Sequence, residues 1–194
     1  MTLDLSGCED RELASLALTR HQPAYRELMR RHKAPVFRLI SNSIGDPVEA
    51  LDLVQDTFVS AFAALARYDG DRPFKLWISR IALNKCRDWA RRRKVRSFFT
   101  FAQPIEAADE HHNEDPDAFR EVAAKSELRR TEAAINQLPF ALREILVLRG
   151  IEELSQSEAA LTLGISEKAA ETRLYRARTQ LKRLLEEPSV IDGA

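Results

Sequence analysis

The chain has 194 residues, 44% of them hydrophobic and 31% charged, with 6 Gly and 8 Pro. That is enough apolar material to bury a core, and it excludes a generally disordered or collagen-like polymer. Basic and acidic residues balance at 30 each, yet the net charge is plus eight from 66 to 98, minus six from 99 to 127 and plus five from 168 to 183, so two basic stretches stand apart and two nucleic-acid contacts are expected.

Cys8 and Cys86 lie far apart and in no metal-ligand spacing, which argues against a disulfide scaffold or a zinc site and for a reducing compartment. No basic stretch leads into an apolar run at the N-terminus, and no run approaches the roughly 18 apolar residues of a membrane span. The expectation is a cytoplasmic protein without membrane insertion. His21, His32, His111 and His112 join no nucleophile, base or ligand set, and there is no glycine-rich phosphate loop, so no enzyme, cofactor or metal is expected.

Leu, Ala, Arg and Glu recur at helical spacing and no alternating strand pattern persists, so the fold is predicted to be all-α. In chain order, helices are expected over 10–18, 22–43, 47–66, 74–94, 124–137, 140–149, 156–163 and 167–185. Asp46 before Pro47 reads as an N-cap followed by the one helical position where proline loses nothing. In the 47–66 helix, Leu51, Val54, Phe58, Phe62 and Leu65 are predicted to pack, leaving Glu49, Asp52, Leu53, Asp56 and Ser60 outward.

The 74–94 helix turns Phe74, Trp77, Ile78, Ile81 and Trp89 toward one side and sets Arg80, Asn84, Arg87, Arg91 and Lys94 in a stripe able to follow a phosphate backbone. Tyr68 and Phe74 offer π-faces for base stacking, although aromatics at this spacing are more often core. From 98 to about 120, Pro104, Pro116 and the polar run 109–115 break periodicity and read as a flexible acidic linker. Farther on, Ser155 and Glu158 form a capping box, Gly164 supplies a tight turn and Ser166 caps the next helix. That last helix places Ala170, Leu174, Ala177, Leu181 and Leu185 on one face and Lys168, Thr172, Tyr175, Arg176, Thr179 and Arg183 on the other. By residue pattern alone the segment is either a helix-turn-helix reading the major groove or an amphipathic hairpin with a solvated basic face.

Residues 154–160, 163–166 and 172–178, preceded by Leu138-Pro139 and 143–149, resemble the promoter-reading C-terminal domain of the sigma-70 family. Gly45-Asp46-Pro47, Ala50, 52–58 and 74–84 resemble that family's central domain, in the expected order. A chain this short is similar to the extracytoplasmic-function (ECF) group. The resemblance implies two small helical domains: 1–97 for core polymerase and the −10 element, and 124–187, a helix-turn-helix domain for the −35 element. Between them would run the acidic linker 98–123, with a tail at 188–194. It further implies that Asp52, Leu53, Gln55 and Asp56 bind a coiled coil of the polymerase's largest subunit and that Arg80, Asn84, Arg87 and Arg91 contact the −10 element. Lys168, Glu171, Thr172, Tyr175 and Arg176 would contact the −35 element, and an anti-sigma factor would cover the polymerase-binding surfaces. Glu171 departs from the basic residue many relatives carry there: it either accepts from a cytosine amino group or forms a helix salt bridge with Lys168. The rival reading is a helix-turn-helix repressor that acts without polymerase.

Overall fold

The computed structural model describes residues 5–99 and 116–186, and within them the chain is helical with no strand. Eight α-helices follow in order: α1 Asp10–Leu18, α2 Gln22–Ile44, α3 Pro47–Ala63, α4 Phe74–Phe99, α5 Pro116–Gln137, α6 Phe140–Gly150, α7 Gln156–Leu163 and α8 Glu167–Glu186. Three boundaries differ from expectation by more than one residue. The predicted 47–66 helix stops at Ala63, where the Ala64 N–H bonds back to the Ser60 and Ala61 carbonyls, and a 3₁₀ turn, Leu65–Arg67, follows. Within the segment read as a linker, α4 continues to Phe99 and α5 starts at Pro116. A proline that reads as a loop marker is equally suited to the first helical position. The rest of that segment, 100–115 with His111 and His112, lies outside the described residues.

Helix α2 runs through Pro35. An internal proline costs about 3 kcal/mol, but α2 buries Leu28, Val36, Leu39, Ile40 and Ile44, each worth about 1.5–3 kcal/mol, so packing wins. Its N-terminal half also anchors α1: Arg31 donates to Asp10 (3.0 Å), to Glu27 (2.8 Å) and to the Leu5, Ser6 and Cys8 carbonyls. The buried His32 completes this anchor, its Nε2 lying 2.7 Å from Asp10 Oδ2 and its ring against Phe74.

In the C-terminal half, α6 packs on α8 and α7, and α5 lies on α8. The halves are not separate cores. Helix α6 touches α2, α7 touches α4, and one cluster of buried residues runs from Leu13 through Cys86 to Ala177.

The packed face of α3 is rotated from the predicted one. Ala50, Val54, Thr57, Phe58 and Ala61 are buried, whereas Leu51 is 52% exposed and Leu53 is half-buried against the core. Alanines at 50 and 61 let neighbouring helices approach closely, so the buried stripe runs through them together with Val54 and Phe58.

Cys86 is fully buried, and burial pushes its thiol up to about 12. Since the thiolate is the reactive form, alkylation of the folded protein at pH 8 should modify the half-buried Cys8 and spare Cys86 until denaturant is added. Peptide mass spectrometry reads this directly, and equal labelling of both cysteines without denaturant would contradict the buried placement.

Candidate nucleic-acid interface

Three surfaces carry the residues singled out in the sequence. The first is the outer face of α3. Asp46 caps the helix by accepting from the Val48 and Glu49 N–H groups, and Glu49 accepts from Trp89 Nε1 at 3.1 Å, fixing α3 on α4. Asp52, Gln55 and Asp56 are exposed. Val48, Leu51 and Val59 are exposed beside them on the same side of the helix. The exposed apolar members of the outer face are therefore Val48, Leu51 and Val59, while Leu53 is half-buried against the core.

The second surface is α4 with the turn before it. Arg80, Asn84 and Arg91 are exposed and Arg87 is half-buried. Arg87 Nη1 donates to Asn84 Oδ1 at 2.7 Å, and Arg91 pairs with Asp88. Phe74 is buried as core, whereas Tyr68 and Trp77, with ring centres 5.2 Å apart, are half-buried. They line a cleft with Asp69, Arg72, Leu76 and Arg80, closed on one side by Leu161 of α7. Burial raises the pKa of the Tyr68 hydroxyl, which donates to the Arg72 carbonyl at 2.6 Å.

The third surface is the helix-turn-helix. Ser155 and Glu158 form the reciprocal capping box at the start of α7. Gly164 closes that helix at φ +67°, a left-handed conformation that favours glycine. Ser166 Oγ accepts from Ala169 N to open α8. The α8 face is arranged as predicted: Ala170 and Ala177 are buried, Leu174, Leu181 and Leu185 are half-buried, and Lys168, Glu171, Thr172, Tyr175, Arg176, Thr179 and Arg183 are exposed. Tyr175 is 73% exposed at the centre of that face. Thr172 bonds its own helix at the Lys168 carbonyl, and Glu171 pairs with Lys168 Nζ at 3.3 Å, which is the salt-bridge alternative for this residue.

The residue with the most consequential surroundings is one the sequence reading passed over. Glu144 of α6 is 2% exposed and accepts from Arg87 of α4 at 2.7 Å (Nη2) and 2.8 Å (Nε); Arg173 of α8 lies 3.4 Å away. Burial pushes its carboxyl up from the ordinary value, against the pull of both guanidiniums. Its sequence signal is position: 144 lies one turn before Leu148 on the apolar face of α6, where a carboxylate must find a cation.

The sigma-70 region 2 pattern matches residues 28–96, and the sigma-70 region 4 pattern matches residues 128–181. Among curated relatives, RNA polymerase sigma factor CnrH of Cupriavidus metallidurans is 42% identical over 93% of this chain and 96% of its own. NccH of Alcaligenes xylosoxydans xylosoxydans is 41% identical over 93% and 97%. The ECF sigma factor SigE of Mycolicibacterium smegmatis is 33% identical over 82% and 61%. The solved structure of CnrH in complex with the cytosolic domain of CnrY superposes with a TM-score of 0.66 at 37% identity, covering 93% of this chain and 99% of that one. The fold also recurs in the sigma factor RpoE of Bartonella quintana, solved with the anti-sigma factor NepR, at a TM-score of 0.63 and 22% identity over 84% and 98%. The chain thus has the two-part helical architecture of a polymerase specificity subunit. It belongs to the sigma-70 family, in the ECF group, and directs RNA polymerase to promoters. The repressor alternative finds no support, because the region 2 match accounts for the N-terminal half that a free-standing repressor would use otherwise.

Glu144→Ala would take the shared counterion from two guanidiniums that are 32% and 35% exposed and should lower the unfolding free energy by about 1–2 kcal/mol. Glu171→Ala, which removes an exposed pair, should change it by less than about 0.5 kcal/mol. Urea melts of the two variants compare these directly, and equal losses would contradict the burial argument.

Proposed function

We propose that this sigma factor reads its promoter at two points and holds polymerase at a third. Residues 1–97 form the unit for core polymerase and the −10 element, 124–187 the unit for the −35 element, 98–123 the connecting segment and 188–194 a tail. The observation that carries the reading is the pair of outward faces, one acidic and apolar on α3 and one basic on α8. Asp52, Gln55 and Asp56 dock on the coiled coil of the polymerase's largest subunit, where carboxylates around apolar side chains suit arginines around a groove. Leu53 contributes from its half-buried position, and Leu51 supplies the exposed apolar contact.

Arg80, Asn84, Arg87 and Arg91 engage the −10 element through phosphates, with Tyr68 and Trp77 as the stacking surface beside them. Lys168, Thr172, Tyr175 and Arg176 read the −35 element in the major groove, with Glu171 at the rim. The role is binding and positioning rather than catalysis. Among the described residues no helix is long and apolar enough to cross a membrane, and the site of action is the cytoplasm, where polymerase works. An anti-sigma factor is the expected regulator, since the structural relatives CnrH and RpoE were solved with CnrY and with NepR.

Asp52→Arg combined with Asp56→Arg should weaken the complex with core polymerase at least about tenfold by reversing the docking charge, with helix content unchanged. Sedimentation or gel-shift titration with core enzyme measures it, and parental affinity would show the assigned surface to be wrong. Glu171→Arg should raise overall DNA affinity by adding a phosphate contact. Because Glu171 is held by Lys168, the preferred −35 sequence should stay the same in selection from random upstream elements; a changed preference would make Glu171 a base reader.

A further inference from the structure

Helix α1 carries none of the residues assigned to polymerase or DNA, yet it starts beside the turn that leads into α4. Asp10 ties it to α2 through Arg31 and His32, and Leu13, Ala14 and Ala17 are buried. The His32 ring packs on Phe74 and Phe74 on Tyr68, with ring centres 5.0 and 5.2 Å apart, so the anchor of α1 and the aromatic cleft share one stack of rings. Burial and the charges of Asp10 and Asp69 raise the pKa of the Tyr68 hydroxyl, and Arg11 opposes them, which sets the first turn of α1 next to that hydroxyl.

The turn is bonded within itself. Tyr68 Oη donates to the Arg72 carbonyl at 2.6 Å, Arg72 N to the Asp69 carbonyl at 3.0 Å, and Arg72 Nε pairs with Asp69 Oδ2 at 3.1 Å. Tyr68, Asp69 and Arg72 line the cleft, and Gly70 between them meets α1. A methyl group on Gly70 would come within 3.0 Å of Arg11 Cγ and 3.2 Å of Arg11 Cδ. Gly70 does not adopt a left-handed conformation, so the missing side chain answers to this close approach and not to backbone strain. It is the aliphatic stem of the exposed Arg11, rather than its charged end, that meets the turn.

We propose that Arg11 is a positioning residue for capture of a melted promoter base: its stem is the wall on which Gly70 seats, and it thereby fixes the turn that presents Tyr68, Asp69 and Arg72 to the cleft. The inference rests on the reading of the Tyr68–Trp77 cleft as a stacking site for DNA. Helix α1 is then part of the −10 site without touching DNA. A turn held only by its own bonds can shift as a unit, and a wall on an anchored helix removes that freedom before a base arrives. Positions 11 and 70 are also coupled: a methyl group at 70 fits only when the stem at 11 is shortened.

The test uses holoenzyme reconstituted from the full chain and core polymerase, with a fluorescein-labelled fork DNA whose single-stranded tail has mixed sequence. Hydrogen exchange at the Arg72 amide of the free chain, followed by NMR, reports on the turn without DNA. Gly70→Ala should weaken fork binding about tenfold, the scale of one lost stacked base, and speed the exchange. Adding Arg11→Ala should return both readings to within about twofold of the parent, whereas independent sites would add their losses. Arg11→Met keeps atoms at the γ and δ positions without the charge and should bind the fork as the parent does. Binding by Arg11→Met as weak as by Arg11→Ala overturns the inference, since the charge and not the stem would then matter. Exchange that the double variant fails to restore overturns the wall itself. Exchange that changes and recovers while fork binding stays parental throughout overturns the cleft as a base site, so the two failures are told apart.

Discussion

An ionised carboxylate removed from water must be given cations, and Glu144 sets the terms on which the two halves of this molecule meet. The apolar face of α6 carries this single acid among Ile145, Val147 and Leu148, all fully buried. Its two partners come from different places: Arg173 from the recognition helix of its own half and Arg87 from the long helix of the other. Glu144 is the buried member of the three, at 2% exposure, while Arg87 and Arg173 each keep about a third of their side chain in water. Glu144 thus ties α6 to both α8 and α4.

This arrangement sorts the functional faces into open and covered. The acidic and apolar face of α3 and the basic face of α8 both point away from the seam. The stripe on α4 faces it in part, with Arg87 and Arg80 touching the C-terminal half while Arg91 turns outward beside Asp88. In this packing the α4 stripe is partly covered, whereas the α3 and α8 faces stay exposed.

Much of this was legible in the amino-acid sequence where local chemistry decides the outcome. Asp46 before Pro47, the Ser155–Glu158 box, Gly164 and Ser166 each satisfy backbone groups within a few residues, so their helix ends fall where expected. The α8 face followed from its 3.6-residue period. What failed depended on neighbours. Leu51 is larger than Ala50, yet the closeness of α2 and α4 to α3 selects the alanine face for burial. The interdomain pairs, Arg87–Glu144 and Arg38–Glu152, join residues 57 and 114 positions apart and have no periodicity to reveal them. A lone acid on an apolar helix face was the available clue.

Donor and acceptor dyes on the outer faces of α3 and α8 give the separation of the two halves of the free chain by single-molecule energy transfer, in the parent and in Glu144→Ala. A buried carboxylate that ties the halves together predicts one short distance in the parent and a longer, broader distribution in the variant. The same distribution in both would contradict it.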